Sequence, residues 1–209
     1  MRIAICSTEF PPGPGGIGTH AHQLAVHLQC RGWEVLVLSP QDFASEEEIA
    51  EFNRRQPFEM IRLRRKRNSL AFAGYRLAVL ARVLRRSAVD LVAATGDGAL
   101  YLSALVGVVR PAPLVAVEHG RVPQGPERKL KRWALRRARR VIAVSDYTRQ
   151  NALAMGAAPA GSCTIHNGAD ADYFTVLPAD EVRRLRARLG LEGKRVLLTV
   201  GNVTPRKGQ

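Results

Sequence analysis

Pro11-Pro12-Gly13-Pro14-Gly15-Gly16-Ile17-Gly18 stands between an apolar run of strand character, Ile3-Ala4-Ile5-Cys6, and a segment from Thr19 to Arg31 with the periodicity of an amphipathic helix. Strand, glycine loop, helix is the arrangement that turns backbone N–H groups and the positive end of a helix dipole toward a phosphate. Glycine admits the anion where a side chain would hold it off. The loop also satisfies G-x-G-x-x-G at Gly13, Gly15 and Gly18, with Asp42 past the second strand as a ribose acid, which is a dinucleotide-binding pattern. In such a site the first glycine follows its strand almost directly, whereas here Ser7 to Pro12 intervene and Pro14 stiffens the middle. Phosphate binding therefore stands above the dinucleotide reading, and above a glycine turn with no ligand.

Downstream, strands keep alternating with helices. Gly32 ends the first helix, and Glu34-Val35-Leu36-Val37-Leu38 is a continuous apolar run of the kind buried on both faces of a parallel sheet. Ser45-Glu46-Glu47-Glu48 has capping-box spacing and predicts a helix to about Gln56. Phe58 to Leu63 reads as a strand, Leu70 to Arg86 as a helix, and Leu91 to Ala94 as a strand followed by the loop Thr95 to Gly98 and an apolar helix. Leu114 to Val117 is the next strand, ending in Glu118-His119-Gly120. A basic helix opens at about Pro126, and strands follow at Val141 to Val144 and Cys163 to His166. Connections this long exclude hairpins, so the class is α/β, a Rossmann-like parallel sheet with helices on both faces. Ligands in such sheets bind off the carboxyl ends of the strands. The glycine loop, Thr95 to Gly98, His119 and the Asn167-Gly168 turn all fall on that rim.

One domain, a linker and the start of a second domain are expected: 1–169 as the Rossmann-like acceptor-side domain, 170–193 as the interdomain linker, and 194–209 as the first strand and loop of a truncated donor-binding domain. Arg195-Val196-Leu197-Leu198-Thr199-Val200-Gly201 supplies that strand. Lys and Arg number 32 against 18 Asp and Glu in the 209 residues, a formal net charge of +14 that points to an anionic partner. Cys6, Cys30 and Cys163 lack any C-x-x-C spacing and are read as buried thiols in a reducing compartment. The N-terminus has no signal-peptide pattern, and the longest apolar stretch, Leu100 to Val109, is about half the ~20 residues of a membrane span. A cytoplasmic protein, soluble or peripheral, is expected.

Taken together, Pro14-Gly15-Gly16, His119-Gly120, Val144-Ser145, Ile165-His166-Asn167-Gly168-Ala169-Asp170 with Phe174, and Val200-Gly201 leading to Pro205-Arg206-Lys207-Gly208 resemble the retaining glycosyltransferases built from two facing Rossmann-like domains, the group 1 family of GT-B architecture. The motifs span the whole chain in the family's order. The resemblance implies a nucleotide-sugar donor as substrate, no cofactor and no metal. It implies that Gly15 and Gly16 let the backbone approach the donor diphosphate, that His119 contacts the transferred sugar, and that Arg206 and Lys207 stabilise charge building on the leaving diphosphate. Many relatives carry arginine where this chain has Asn202, and proline where it has His166. The family's carboxylate-bearing donor site would lie beyond Gln209, so this polypeptide alone is expected to hold the acceptor half and to be inactive. On the residues alone, His119 could equally be structural, Ser145 reads as a helix cap, and Asn167 and Gly168 as a turn.

Two basic stretches remain. Arg128 to Arg140 is dense in cations, with Leu130, Trp133, Ala134 and Ala138 at helical spacing. That stripe is expected in the core, leaving Arg132, Trp133 and Arg136 near a face that can meet lipid phosphate at the inner face of the cytoplasmic membrane. Arg64, Arg65 and Lys66 form a second patch. Together they suggest a carbohydrate or lipid-linked acceptor in cell-envelope polysaccharide, lipopolysaccharide or glycolipid synthesis. Nucleic acid is not expected, since aromatic platforms, zinc spacing and a recognition helix are lacking. A nucleotide-dependent oxidoreductase and a non-catalytic lipid-binding module remain the competing classes.

Overall fold

The structure, a computed structural model, describes residues 1–63 and 70–201. It divides into two compact units, Met1–Asn167 and Gly168–Gln209. In the first unit β1 (Arg2–Ser7), β2 (Glu34–Ser39), β3 (Glu59–Arg62), β4 (Leu91–Thr95), β5 (Leu114–Glu118), β6 (Arg140–Ala143) and β7 (Ser162–Thr164) form one sheet, ordered β3-β2-β1-β4-β5-β6-β7. Every pairing is parallel, with Ile5 opposite Val37 on one side and Ala93 on the other. The chain builds outward from β1 through β2 to β3, then returns to place β4 on the other flank of β1. The crevice at that reversal is the switch point of an open α/β sheet.

Side chains alternate across the pleat, so each central strand feeds two cores. Ile3, Ile5, Val35, Val37 and Ala93 pack with Ala21 and Ala25 of α1 (Gly16–Cys30) and Phe52 of α2 (Glu46–Arg54). Ala4, Cys6, Leu36, Leu38, Ala94 and Ala116 pack with Leu80 of α3 (Leu70–Arg86), Leu100 of α4 (Asp97–Val109), Leu135 of α5 (Gly125–Arg137) and Met155 just past α6 (Asp146–Ala154). The capping box forms as spelled: the Ser45 Oγ accepts from Glu48 N at 3.2 Å, and Glu48 Oε2 accepts from Ser45 N at 2.8 Å.

Several expectations need correction. Only Cys6 is buried; Cys30 and Cys163 are exposed, because they sit on the outer side of α1 and on the edge strand β7. Burial pushes the Cys6 thiol up to about 11, which keeps it protonated and inert. The buried face of α5 is Lys131, Ala134 and Leu135, while Leu130 is exposed, a rotation of one position that puts a lysine into the core. Helix α4 begins at Asp97, directly after Gly96, so Asp97 belongs to a helix N-terminus and not to a loop.

The second unit contains α7 (Ala179–Arg188), with an Asp180–Arg184 ion pair on its surface. Residues 194–200 form no strand, and Leu197, Leu198 and Val200 are exposed. A strand exists only by pairing with another, and this segment finds no partner among the described residues. Among those residues no helix is long and apolar enough to cross a membrane.

Candidate functional site

A cleft of about 250 Å3 opens at the carboxyl rim of the sheet, lined among others by Thr8 after β1, Ile17 of α1, Gly96 and Asp97 after β4, and His119 and Arg121 after β5. Three consecutive neighbours in the sheet, β1, β4 and β5, thus each deliver residues to one crevice. His119 sits half-buried, its Nε2 2.8 Å from the hydroxyl of buried Thr95. The His20 ring of α1 meets it edge-on, centroids 5.1 Å apart and planes at 81°. Burial, with His20 and Lys131 nearby, pulls the His119 imidazole down to about 4 against the opposing pull of Asp97. It is therefore neutral at physiological pH, able to donate through one nitrogen and accept through the other.

Behind the imidazole lies a charged cluster. The Lys131 ammonium, with its side chain fully buried, donates to the Arg121 carbonyl and is ion-paired with Asp97 Oδ1 and Glu118 Oε2, each at 2.7 Å. Burial pushes the Glu118 carboxyl up, and the Lys131 ammonium opposes the push. Arg121 in turn reaches Asp97 Oδ2 at 2.7 Å and holds Glu127 with two bonds of 2.5 and 2.7 Å. Those bonds to Glu127 and Asp97 hold the guanidinium well above its ordinary value, and hold Glu127 low. Both cations at the cleft are therefore already matched by carboxylates.

The glycine loop is tied to an acidic residue of the same chain. Glu9 Oε1 accepts from the backbone N–H of Ile17 at 3.0 Å and of Gly18 at 3.1 Å, so an internal carboxylate caps α1. Gly15 has φ +146°, and a Cβ there would lie 2.2 Å from Glu9 Oε1. Glu9 thus gives Gly15 a structural reason independent of any ligand. Gly15→Ala is expected to cost about 1–3 kcal/mol in urea unfolding, and part of that loss should disappear in Glu9→Ala/Gly15→Ala, where the clashing carboxylate is absent.

Gly16 starts α1 beside this cap. Ser145 caps α6 as read, accepting from Thr148 N at 3.2 Å. Arg132 and Arg136 are exposed on α5, away from its buried face, while Trp133 packs partly against the core and lies under the Arg137 guanidinium at 5.3 Å. Arg64, Arg65, Lys66, Arg206 and Lys207 lie outside the described residues. His20, Lys131 and Glu9 escaped the sequence reading. A histidine one turn into the helix after the glycine loop was the one available signal for His20.

A parallel seven-stranded sheet with its cleft at the β1/β4 crossover is the N-terminal half of a GT-B glycosyltransferase fold. The chain belongs to Glycosyltransferase Family 4, which matches residues 14–173. Among solved structures it is similar to Anabaena Alr3699/HepE in complex with UDP-glucose (TM-score 0.68, 20% identity, 100% of this chain and 55% of that one). It is also similar to the lipopolysaccharide outer core galactosyltransferase WaaB in its apo form (0.61, 13%, 81% and 46%). A third is the UDP-GlcNAc 2-epimerase from Methanocaldococcus jannaschii (0.55, 17%, 78% and 45%). The chain spans about half the length of each. At these identities the likeness concerns the fold. No curated protein matches the chain.

Proposed function

We propose that the chain is the acceptor-side half of a retaining glycosyltransferase that moves a sugar from a nucleotide-sugar donor to a carbohydrate or lipid-linked acceptor in cell-envelope synthesis, without a metal. The observation that carries this reading is His119: a neutral imidazole at the mouth of the β1/β4 crevice, fixed by Thr95 and opposite the start of α1. Family membership and a fold neighbour crystallised with UDP-glucose support the donor class. The literal G-x-G-x-x-G favours an oxidoreductase less, because Thr8 to Pro12 separate the end of β1 from Gly13, whereas the first glycine of a dinucleotide site follows its strand almost directly. Catalysis in this architecture needs a cleft closed by a second domain, so residues 1–209 alone are expected to be inactive.

Incubation of the longest product of the reading frame with UDP-, GDP- and ADP-sugars and a membrane-lipid extract should yield a glycosylated product whose anomeric configuration matches the donor's. Inverted product would remove retention; no transfer from any donor, with reduction of a nicotinamide cofactor instead, would remove the reading altogether. The exposed Arg128, Lys129, Arg132 and Arg136 of α5 favour docking at an anionic membrane surface, at the inner face of the cytoplasmic membrane. Flotation should show binding to vesicles rich in phosphatidylglycerol that is lost in high salt, and none to phosphatidylcholine; equal binding to both would contradict it.

A further inference from the structure

We infer that Lys131 is a positioning residue for His119: its ammonium clamps the 118–121 turn that carries the imidazole and ties that turn to the start of α4. An ammonium has three donors and no acceptor, and here it donates to the Arg121 carbonyl and lies 2.7 Å from both Glu118 Oε2 and Asp97 Oδ1. Two of those acceptors bracket His119 in sequence, one residue before it and two after. The third heads the helix that follows Thr95, the group hydrogen-bonded to the His119 ring. One buried charge therefore fixes both sides of the imidazole and the strand end against which it rests.

A lysine used only to fill the core would be out of place, since its neighbours on the buried face are Ala134 and Leu135 and apolar residues pack there without desolvating a charge. Gly120, at φ +90°, turns the chain sharply between His119 and the carbonyl that Lys131 grips. Without the clamp the backbone of that turn keeps its bond from Val144 N to the Glu118 carbonyl, 3.2 Å, and its side chains keep the His119–Thr95 bond and the bonds of exposed Arg121 to Asp97 and Glu127. The charged and titratable groups around the ring are His20 from α1, Asp97 from α4, Lys131 and Glu127 from α5, and Glu118 and Arg121 from its own segment.

The inference rests on His119 being the working group of the proposed reaction, but it is read on the imidazole itself, so failure to transfer sugar leaves it standing. Nitrogen-15 NMR of the 209-residue chain should show His119 as a single neutral tautomer from pH 8 to pH 5, and Lys131 ammonium protons that exchange far more slowly than those of exposed Lys129. In Lys131→Met/Glu118→Met, which removes both members of the buried pair, the His119 midpoint should rise by about one pH unit or more and both tautomers should appear. A folded paired variant with unchanged midpoint and tautomer overturns the inference. So does a Lys131 ammonium that exchanges as fast as Lys129 in the unaltered chain, a measurement that decides the matter if the paired variant does not fold.

Discussion

Replacing His119 by alanine is expected to slow sugar transfer by the longest product of the reading frame about 100-fold or more, the scale seen when one preorganised donor is removed from a reacting centre. That is a barrier increase of about 2.7 kcal/mol. Folding should suffer less, about 1 kcal/mol, chiefly from leaving the buried Thr95 hydroxyl without its partner. Turnover like that of the unaltered enzyme would defeat the assignment. The pH dependence carries a second check. Because the folded imidazole sits at about 4, below its ordinary value near 6.5, its contribution to stability is complete above about pH 6.5 and is lost as pH falls through 4. Transfer should therefore show no loss between pH 7 and pH 5 attributable to protonation of this ring.

Lys131→Met should be the most damaging single change for stability, costing about 3–5 kcal/mol at pH 7, because it leaves Glu118 buried without its cation. Asp97 keeps Arg121 and suffers less. The neighbouring Arg132→Met, on the exposed face, should stay within about 0.5 kcal/mol. Glu118 is already pushed up by burial while Lys131 is present, and without Lys131 it is pushed further. A carboxyl raised in the folded state favours folding below its unfolded value and ceases to do so as pH rises through its folded one. The deficit of Lys131→Met should accordingly shrink when urea unfolding is repeated at pH 5. Equal costs for Lys131→Met and Arg132→Met, or a deficit that grows in acid, would show that the buried pair is not what holds this corner.

The architecture was legible because its signals are local and repeated: apolar runs of strand length, a capping box at Ser45, a proline opening α5, and connections too long for hairpins. Those fix a parallel sheet, and a parallel sheet fixes the rim to which Thr95 and His119 are delivered. The register of α5 was not legible, since a stripe through Leu130, Trp133, Ala134 and Ala138 looks apolar while the true buried face includes a lysine whose partners, Asp97 and Glu118, come from distant elements. Glu9 was missed for a related reason. Its amides belong to residues 8 and 9 positions further on, and only the folded loop brings them within reach.

The carboxylate at the head of α1 has one more implication. A first helix that supplies its own negative cap is finished before any substrate arrives, so a phosphate-bearing visitor should not be required for this half of the molecule to acquire its shape. Nucleotide should then leave the thermal midpoint of residues 1–209 almost untouched. Glu9→Ala, lacking the built-in counterion, should be the version whose melting responds to added inorganic phosphate.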